Sequence, residues 1–222
     1  EGFTYNDVKF DISAEVIRYH GHPDYTQHIL SSIGKMDTRA MHNQFMNDPH
    51  RVKLIVDKIK ELYDMNIELD GNYTRHCIYV FAEELAHLRI IHEYIKDIAW
   101  APELDTDEVI GMFTGGISAA QSKSMRENSR ILLTTYGYSS KGISVPKMTA
   151  IVFLTSRKSS MIQIIGRILR RSGDKRIKRH IIDIVDWSTG IKRQYEHRVL
   201  AYNYYNAVIN VTNVKYDEIA LQ

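Results

Sequence analysis

Cysteine is almost missing from this sequence, which has one cysteine, Cys77, among 222 residues. A single thiol excludes an internal disulfide, so we expect a reducing, intracellular compartment and a buried, structural Cys77. No apolar run reaches the roughly 18 residues that a membrane-spanning helix requires. No signal-peptide pattern opens the chain, and Glu1 in place of a start methionine indicates a piece of something longer. The sequence therefore predicts a globular protein with no membrane partner.

Several signatures of catalytic and metal sites are absent as well. No GxxxxGKS/T phosphate loop occurs, because Gly34-Lys35-Met36 lacks both the leading glycine and the hydroxyl residue, and no DExx box follows a predicted strand. His20, His22 and His28 have neither a cysteine partner nor helical i, i+4 spacing, which predicts surface histidines and no metal site. No nucleophile–base pair is evident, which argues against a small-molecule α/β enzyme.

What the chain does contain is an alternation of short apolar runs and amphipathic segments. Hydrophobic residues make up 44% and charged residues 25%, with a net charge of +2. The alternation predicts an α/β fold, a mostly parallel sheet with helices on both faces. The predicted strands are Val8–Ile12, Glu15–Tyr19, His76–Phe81, Val109–Phe113, Ile131–Leu133, Ala150–Leu154 and Ile177–Val185. The predicted helices are Thr26–Ile33, one opened by Asp48-Pro49, Glu83–Ile95, Ile117–Asn128, one after Ser160, and the Tyr-rich segment Gly190–Asn210.

Polar residues follow several of these predicted strands. In a parallel sheet, ligands gather beyond the carboxyl ends of the strands. The turn Thr114-Gly115-Gly116 can present backbone N–H groups to a phosphate, although such a turn is as often only a structural connection. The residues that fall in these positions are Thr114, Gly115, Thr135, Tyr136 and Lys141.

The helix after Ser160 carries an unusual set of side chains. At about 100° per residue, Gln163, Arg167 and Arg170 fall on one narrow face, opposite an apolar side that can pack on a sheet. Gly166 costs a helix about 1 kcal/mol relative to alanine, so we expect a close approach by a ligand or another backbone there. Guanidinium forks suit phosphate oxygens, but a solvated basic face is the simpler alternative.

The same helix opens a basic run. Seven lysines and arginines lie between positions 167 and 179 against one acidic residue, Asp174. Such a run either attracts phosphate or forms only a solvated helix end, and the sequence leaves both open. Ser159 or Ser160 can cap the helix, and Ser160 with Gln163 can form a capping box.

The segment TTYGYSSKGISVP followed by Gln163-Ile-Ile-Gly166-Arg167-Ile-Leu-Arg170 resembles motifs V and VI of superfamily 2 helicases. The likeness is to their second, C-terminal RecA-like lobe, and above all to phage UvsW-type helicases and those of large DNA viruses. This resemblance implies a RecA-like lobe over 1–187, with an opening strand and helices in 1–70, and a C-terminal helical extension over 188–222. If the protein is viral, host cytoplasm or a virion is its expected location.

The resemblance also implies roles for individual residues. Arg167 and Arg170 would reach the phosphates of ATP as arginine fingers, and Gln163 would orient water or the nucleotide. Gly142 and Ser144 would lie near the nucleotide, although many relatives place aspartate at the position of Ser144. ATP and Mg²⁺ would be held mainly by a missing N-terminal lobe, so this chain alone is expected to lack ATPase activity.

Nucleic acid is the other implied partner, with DNA expected over RNA. Its contacts would be Thr114, Gly115, Thr135, Tyr136 and Lys141. Relatives often have a basic or hydroxyl residue after the motif IV strand, where this chain has Ala82, Glu83 and Glu84. Two further hypotheses stay open beside the motor lobe: a non-catalytic nucleic-acid-binding RecA-like module, and the small-molecule enzyme.

Overall fold

Seven parallel strands form the central sheet of the computed structural model, which describes residues 10–97, 109–139, 145–157, 159–170 and 173–221. The strand order is β5-β6-β4-β7-β8-β1-β9. The predicted parallel α/β fold is therefore confirmed. The sheet strands are β1 (Ile12–His20), β4 (Ile78–Ala82), β5 (Ile110–Met112), β6 (Ile131–Thr135), β7 (Ala150–Phe153), β8 (Arg179–Asp186) and β9 (Val208–Lys215).

Helices cover both faces of this sheet, because alternate strand residues point to opposite sides. One core cluster joins the strands to α2 and α3, and a second joins them to α6 and α7. The α-helices are α1 (Thr38–Met46), α2 (Pro49–Asp64), α3 (Leu85–Asp97), α4 (Ala119–Asn128), α5 (Tyr136–Ser139), α6 (Met161–Ile165) and α7 (Tyr195–Tyr204).

Local sequence signals fix two helix starts. Asp48 caps α2 by accepting hydrogen bonds from the backbone N–H groups of His50 and Arg51, with Pro49 at the first helical position. Ser118 and Gln121 form a reciprocal capping box at the start of α4. The helix α2 begins where the sequence predicted, and α4 begins two residues after the predicted Ile117.

Three elements in the first third differ from the sequence prediction. No helix forms over residues 26–33, where the described backbone has only an isolated bridge between Leu30 and Met36; the helix comes later, as α1. Of the two predicted N-terminal segments, which the sequence allowed to be two strands or one bent strand, Glu15–Tyr19 is confirmed within β1; residues 8 and 9 lie outside the described part, and Phe10 and Asp11 are not in a strand. The sequence analysis did not predict the hairpin of β2 (Asn66–Leu69) and β3 (Asn72–Arg75). Its turn residues Asp70 and Gly71 have the positive φ angles of 52° and 78° that a tight hairpin turn requires.

The C-terminal segment is not the helical extension that was predicted. The helix α7 ends at Tyr204, and Val208 begins β9, which pairs in parallel with β1 along the sheet edge. Val208 and Ile209 fit the helical period of the preceding residues. They nevertheless belong to a strand, because pairing with β1 satisfies their backbone hydrogen-bonding groups. The strand β9 (Val208–Lys215) thus belongs to the same sheet as the other six strands.

A buried carboxylate, Asp183 of β8, fastens α7 to the sheet. Its Oδ2 atom accepts hydrogen bonds from Nε of Arg198 at 2.8 Å and from the hydroxyl of Tyr202 at 2.6 Å. Burial raises the pKa of Tyr202 well above its usual value, and the neighbouring Asp183 charge adds to this shift. The tyrosine therefore stays a hydrogen-bond donor at every working pH.

A second buried pair ties α2 to the carboxyl end of the sheet. Arg51 binds both carboxylate oxygens of Asp186 at 2.6 and 3.0 Å and donates to the Leu154 carbonyl at 2.7 Å. Burial raises the pKa of Asp186, while Arg51 acts in the opposite direction. Such a bidentate pair fixes the angle of α2 as well as its position.

Cys77, the one thiol, is partly buried just before β4, and burial raises its pKa, as befits a structural thiol. Within the described residues, no helix has the length and apolarity needed to cross a bilayer.

Removal of the Asp183 charge should destabilise the fold strongly. In Asp183→Asn, the buried Arg198 keeps its charge without a counter-ion, which should lower the free energy of unfolding by about 3–5 kcal/mol. Urea denaturation measures this loss. The matched control is Asp64→Asn, which breaks an exposed pair with Lys60 and should cost no more than about 0.5 kcal/mol. Equal losses in the two variants would contradict a structural role for Asp183.

Candidate functional site

The helix that carries the motif residues is shorter than the sequence predicted. Its α-helical part is α6, and a 3₁₀ turn over Gly166–Ile168 follows it. Ser160 occupies the N-cap position with φ 61°, but its side chain makes no capping hydrogen bond. The predictions of a serine side-chain cap and of a Ser160–Gln163 capping box are therefore wrong. The apolar face is as predicted, since Ile164, Ile165 and Ile168 are buried against the sheet.

An open cleft of about 460 Å³ lies beside this helix, at the carboxyl ends of β6 and β7. Gln163, Arg167 and Arg170 all line it, so the face predicted from helical geometry does face one cavity. Eight further residues complete the wall. These are Tyr136, Arg157, Ser160, Ile162, Ile164, Gly166, Tyr204 and Tyr205.

Arg167 forms the inner end of the basic side of the cleft. Its side chain is only 6% exposed, and its Nη2 donates to the carbonyl oxygen of Ser139 at the end of α5. Burial lowers the pKa of Arg167, and the neighbouring charge of Arg170 lowers it further. Arginine still remains protonated, so an anion between the two guanidinium groups would relieve this electrostatic strain.

Arg170 is the more accessible of the two motif arginines. Its Nε atom is buried and has no hydrogen-bond partner among the described residues, which also offer it no carboxylate within ion-pair distance. A buried donor without a partner costs free energy, so this group has an unmet requirement for an acceptor. A phosphate oxygen in the cleft would satisfy it.

The sequence predicted a close approach to Gly166 by a ligand or another backbone, but the group that approaches it is a side chain. A Cβ atom at this position would lie 2.8 Å from the Tyr205 hydroxyl oxygen. That hydroxyl donates to the Ile162 carbonyl at 2.8 Å, so the phenol lies directly across α6. The glycine thus lets α7 approach the motif helix.

Arg157 is a cation that the sequence analysis did not select. Its Nη1 lies 3.3 Å from Glu83, its Nε donates to the Ser159 carbonyl, and its guanidinium carbon lies 5.1 Å above the Tyr136 ring. A signal for it existed, since it follows the buried run that forms β7, at the ligand-binding end of the sheet. Glu83, after the motif IV strand, therefore serves as an ion-pair partner.

Thr114, Gly115 and Thr135 meet at a second position along the same edge. The strands β5 and β6 pair in parallel, which places their carboxyl ends side by side. The Thr135 hydroxyl accepts a hydrogen bond from the Tyr138 backbone N–H at 3.2 Å, and a Cβ atom on Gly115 would lie 3.9 Å from the Tyr138 ring. Gly115 is exposed, whereas Thr114 is largely buried.

The structure places Tyr136 in the core, not on a nucleic-acid surface. Its side chain is 1% exposed, its hydroxyl donates to the Thr155 carbonyl at 2.7 Å, and its ring stacks between Phe81 and Phe153. The predicted contact is therefore replaced by packing, because β6 turns into α5 with this ring directed inward. The remaining predicted site residues, Lys141, Gly142 and Ser144, lie outside the described residues.

Comparison with known proteins finds helicase relatives. No protein-family model matches the chain. The relatives include a protein of African swine fever virus that is provisionally named ATP-dependent RNA helicase QP509L. The protein of an isolate from Kenya is 30% identical to this chain, and the protein of an isolate from Malawi is 31% identical. Each match covers 188 residues, which is 82% of this chain and 36% of the viral protein.

Solved helicase structures share the fold. UvsW of T4 superposes with a TM-score of 0.65 at 18% identity, covering 92% of this chain and 42% of UvsW. S. cerevisiae Dbp5 bound to RNA and ADP BeF3 gives a TM-score of 0.55 at 14% identity, with 98% of this chain and 45% of Dbp5 covered. Domain 2 of the DEAD-box helicase Mss116p, bound to an RNA duplex, gives 0.52 at 17% identity, with coverages of 91% and 63%.

The chain therefore has the RecA-like fold of a helicase C-terminal lobe. This lobe spans about a third of the length of the viral relatives it matches. Those relatives are named as RNA helicases, and two of the structural neighbours were solved with RNA. The predicted preference for DNA over RNA therefore receives no support.

The basic run of the lobe is dispersed in space. Arg179 is fully buried, donating to the carbonyls of Ile168 and Asp174, and burial lowers its pKa to about 10. Arg176 pairs with Asp174 and with Asp70 of the β2–β3 turn, and these hydrogen bonds lower the pKa of Asp174 to about 2. Among the described residues of this run, only Arg167 and Arg170 line the cleft, so these residues do not form one phosphate-binding patch.

The described residues include one serine–histidine contact, of which the sequence gave no sign. Nε2 of His42 lies 2.9 Å from the Ser156 hydroxyl, which itself donates to Gln194 at 2.9 Å. The histidine must then act as donor, and burial lowers its pKa to about 3. Because both side chains are buried, the contact does not form a nucleophile–base pair that a substrate can reach.

The contact between Gly166 and Tyr205 can be measured by a double-mutant cycle. Gly166→Ala restricts the unfolded chain and so gains about 0.5–1 kcal/mol, but it displaces the Tyr205 hydroxyl and its hydrogen bond, worth about 0.5–1.5 kcal/mol, so its net effect should be near zero. In a Tyr205→Phe background the same substitution should stabilise the lobe by about 0.5–1 kcal/mol. Thermal and urea unfolding of the four proteins give the coupling, and strictly additive effects would contradict the close approach.

Proposed function

We propose that this lobe works in an ATP-dependent nucleic-acid helicase or translocase, in which Arg167 and Arg170 contact the phosphates of a nucleotide held against a second lobe. The observation that carries the proposal is the convergence of both guanidinium groups on one open cleft. Positioned arginines stabilise the charge that develops on a leaving γ-phosphoryl group and contribute about 10³–10⁵ in turnover.

The second half of such a site has to come from elsewhere. None of the described cleft residues is an aspartate or a glutamate, and the described residues include no group of His, Cys, Asp and Glu suited to a metal ion. Mg²⁺ prefers carboxylate and phosphate oxygens, so the cleft fits the phosphates but not their metal. We therefore assign the metal ligands and the phosphate loop to another part of a longer protein, as the 36% coverage of the viral relatives allows.

Gln163 has a position consistent with a role in orienting the nucleotide or water. Its side chain is exposed in the cleft, one turn before Arg167. Its alternative role in a capping box has no hydrogen bond to support it. Gly142 and Ser144 remain proposed neighbours of the nucleotide on the basis of the motif V resemblance alone.

The nucleic acid is proposed to run along the edge formed by Thr114, Gly115 and Thr135. Exposed backbone at Gly115 and Gly116 precedes the N-terminus of α4, whose N–H groups favour phosphate oxygens. Closing and reopening of the two lobes with each nucleotide would then move this edge along the strand.

A non-catalytic nucleic-acid-binding module is the second candidate. The observation that favours it is the contact between Arg167 and the Ser139 carbonyl, which already occupies part of the guanidinium fork. In a working motor this bond would have to lengthen or be shared when a nucleotide arrives. In a protein that has lost its motor function, this hydrogen bond would persist, and the protein would not hydrolyse ATP.

Substitution of the motif arginines should separate these candidates in the whole protein that contains this lobe. Arg167→Ala and Arg170→Ala should each lower nucleic-acid-stimulated ATP turnover by about 10³-fold or more, since the transition-state charge loses its partner. Steady-state phosphate release measures the effect. The control Arg176→Ala removes an exposed arginine already paired with two aspartates and should leave turnover unchanged.

Circular dichroism and thermal unfolding establish that each variant is folded. Wild-type turnover in Arg167→Ala would show that this arginine is not a finger. An intact wild-type protein that binds nucleic acid without hydrolysing ATP would establish the second candidate.

A negative charge at Gly115 should weaken nucleic-acid binding. Gly115→Asp has room for its side chain and places a carboxylate on the proposed track, which should raise the dissociation constant about fivefold in low salt by repulsion of phosphate. Asn72→Asp adds the same charge on the β2–β3 hairpin and serves as the control. Fluorescence anisotropy with RNA and DNA oligonucleotides of one sequence, at one salt concentration, also tests the preference. Equal losses in both variants would exclude this edge as the track.

A further inference from the structure

We infer that Tyr204 and Ile162 form a shelf on which the base of the bound nucleotide stacks, so that this lobe contacts both ends of the nucleotide. The inference rests on the proposed function, because it takes the ligand of the cleft to be a nucleoside triphosphate. It adds a binding group that neither the motif residues nor the comparisons assign.

The shelf is defined by two apolar side chains that are exposed in the same cleft. Ile162 is 41% exposed and Tyr204 is 55% exposed, while the other aliphatic residues of α6 are buried. Arg157, Arg167 and Arg170 line the same cavity. The lining of the cleft therefore divides into cationic and apolar side chains.

This division matches the chemistry of a nucleotide better than that of a bare polyphosphate. Inorganic phosphates require only donors and cations, and an exposed tyrosine and isoleucine give them nothing. A nucleoside triphosphate joins an anionic chain to an uncharged aromatic base, and aromatic stacking on such a base is favourable whichever base it is. The cavity of about 460 Å³ is within the usual range for a site of this kind.

Tyr204 is held in place through four linked contacts. Arg198 and Tyr202 bind Asp183 and so fix α7 on the sheet. The Tyr205 hydroxyl then donates to the Ile162 carbonyl, which locks the end of α7 onto α6. The Tyr204 and Tyr205 rings meet edge to face with centroids 5.0 Å apart, so the position of Tyr204 is set relative to the arginines.

Tyrosines at helical spacing usually serve packing, and most of this segment does so. Tyr202 is fully buried on Asp183, and Tyr195 and Tyr205 are partly buried against the core. Tyr204 departs from that pattern because it is exposed at the mouth of a cleft. A platform for a base needs that kind of exposure.

Equilibrium binding to the whole protein tests the shelf, with ATP and inorganic tripolyphosphate as the two probes in calorimetry. Tyr204→Ala should raise the dissociation constant for ATP about 5- to 150-fold, the range found when a stacked aromatic is removed. Its affinity for tripolyphosphate should stay within twofold of wild type. Tyr204→Phe keeps the ring and should bind ATP within about twofold of wild type.

In Tyr204→Ala, the KM for ATP hydrolysis should rise as the dissociation constant does, and kcat should change much less. The reason is that a contact to the base is present both before and during the reaction. Tyr73→Ala is the matched control, since Tyr73 is 74% exposed on the β2–β3 hairpin and does not line the cleft. It should change neither probe.

Two results would overturn the shelf. The first is an ATP affinity within twofold of wild type in Tyr204→Ala. The second is an equal loss for ATP and tripolyphosphate, which would mean that Tyr204 positions the arginines or packs on another lobe. Arg170→Ala tests the proposed function separately, since it should weaken both probes; failure to weaken tripolyphosphate would reject the phosphate site whatever Tyr204 does.

Discussion

The buried carboxylate of Asp183 is the contact on which the shape of the candidate site depends. It lies in the middle of β8 and binds the two α7 side chains, Arg198 and Tyr202, that place this helix on the sheet. Because α7 is fixed there, Tyr205 reaches across Gly166 and closes one wall of the cleft. Burial makes this arrangement costly to break, since removing one partner leaves an uncompensated charge in the interior.

Arginines serve two different purposes in this lobe, and only their surroundings distinguish them. Arg51, Arg179 and Arg198 are fully buried, and carboxylates or carbonyl groups accept their hydrogen bonds. Arg167 and Arg170 instead converge on a cleft, where their mutual repulsion favours an anion. Two residues of one basic run, Arg170 and Arg179, therefore have opposite roles, one as a candidate phosphate ligand and the other as a structural tie.

The parts of the fold that the sequence predicted are those whose cause is local. Asp48-Pro49 and Ser118 fixed helix starts through contacts within one turn, and the apolar runs of β4, β6, β7 and β8 marked a buried parallel sheet. The errors came where a distant partner decides. The end of the Tyr-rich segment has a helical period, but pairing with β1, almost 200 residues earlier in the chain, makes it β9.

For the site, the sequence alone predicted that Gln163, Arg167 and Arg170 lie on one side, and they do line one cleft, although Arg167 lies in a 3₁₀ turn and Arg170 follows that turn. It could not decide which tyrosine would be buried and which exposed: Tyr136 enters the core between two phenylalanines, while Tyr204 reaches the cleft. It also could not show that Gly166 makes room for Tyr205 or that Arg157 joins the cleft wall. These features depend on contacts between elements far apart in the chain, and only tertiary packing sets those distances.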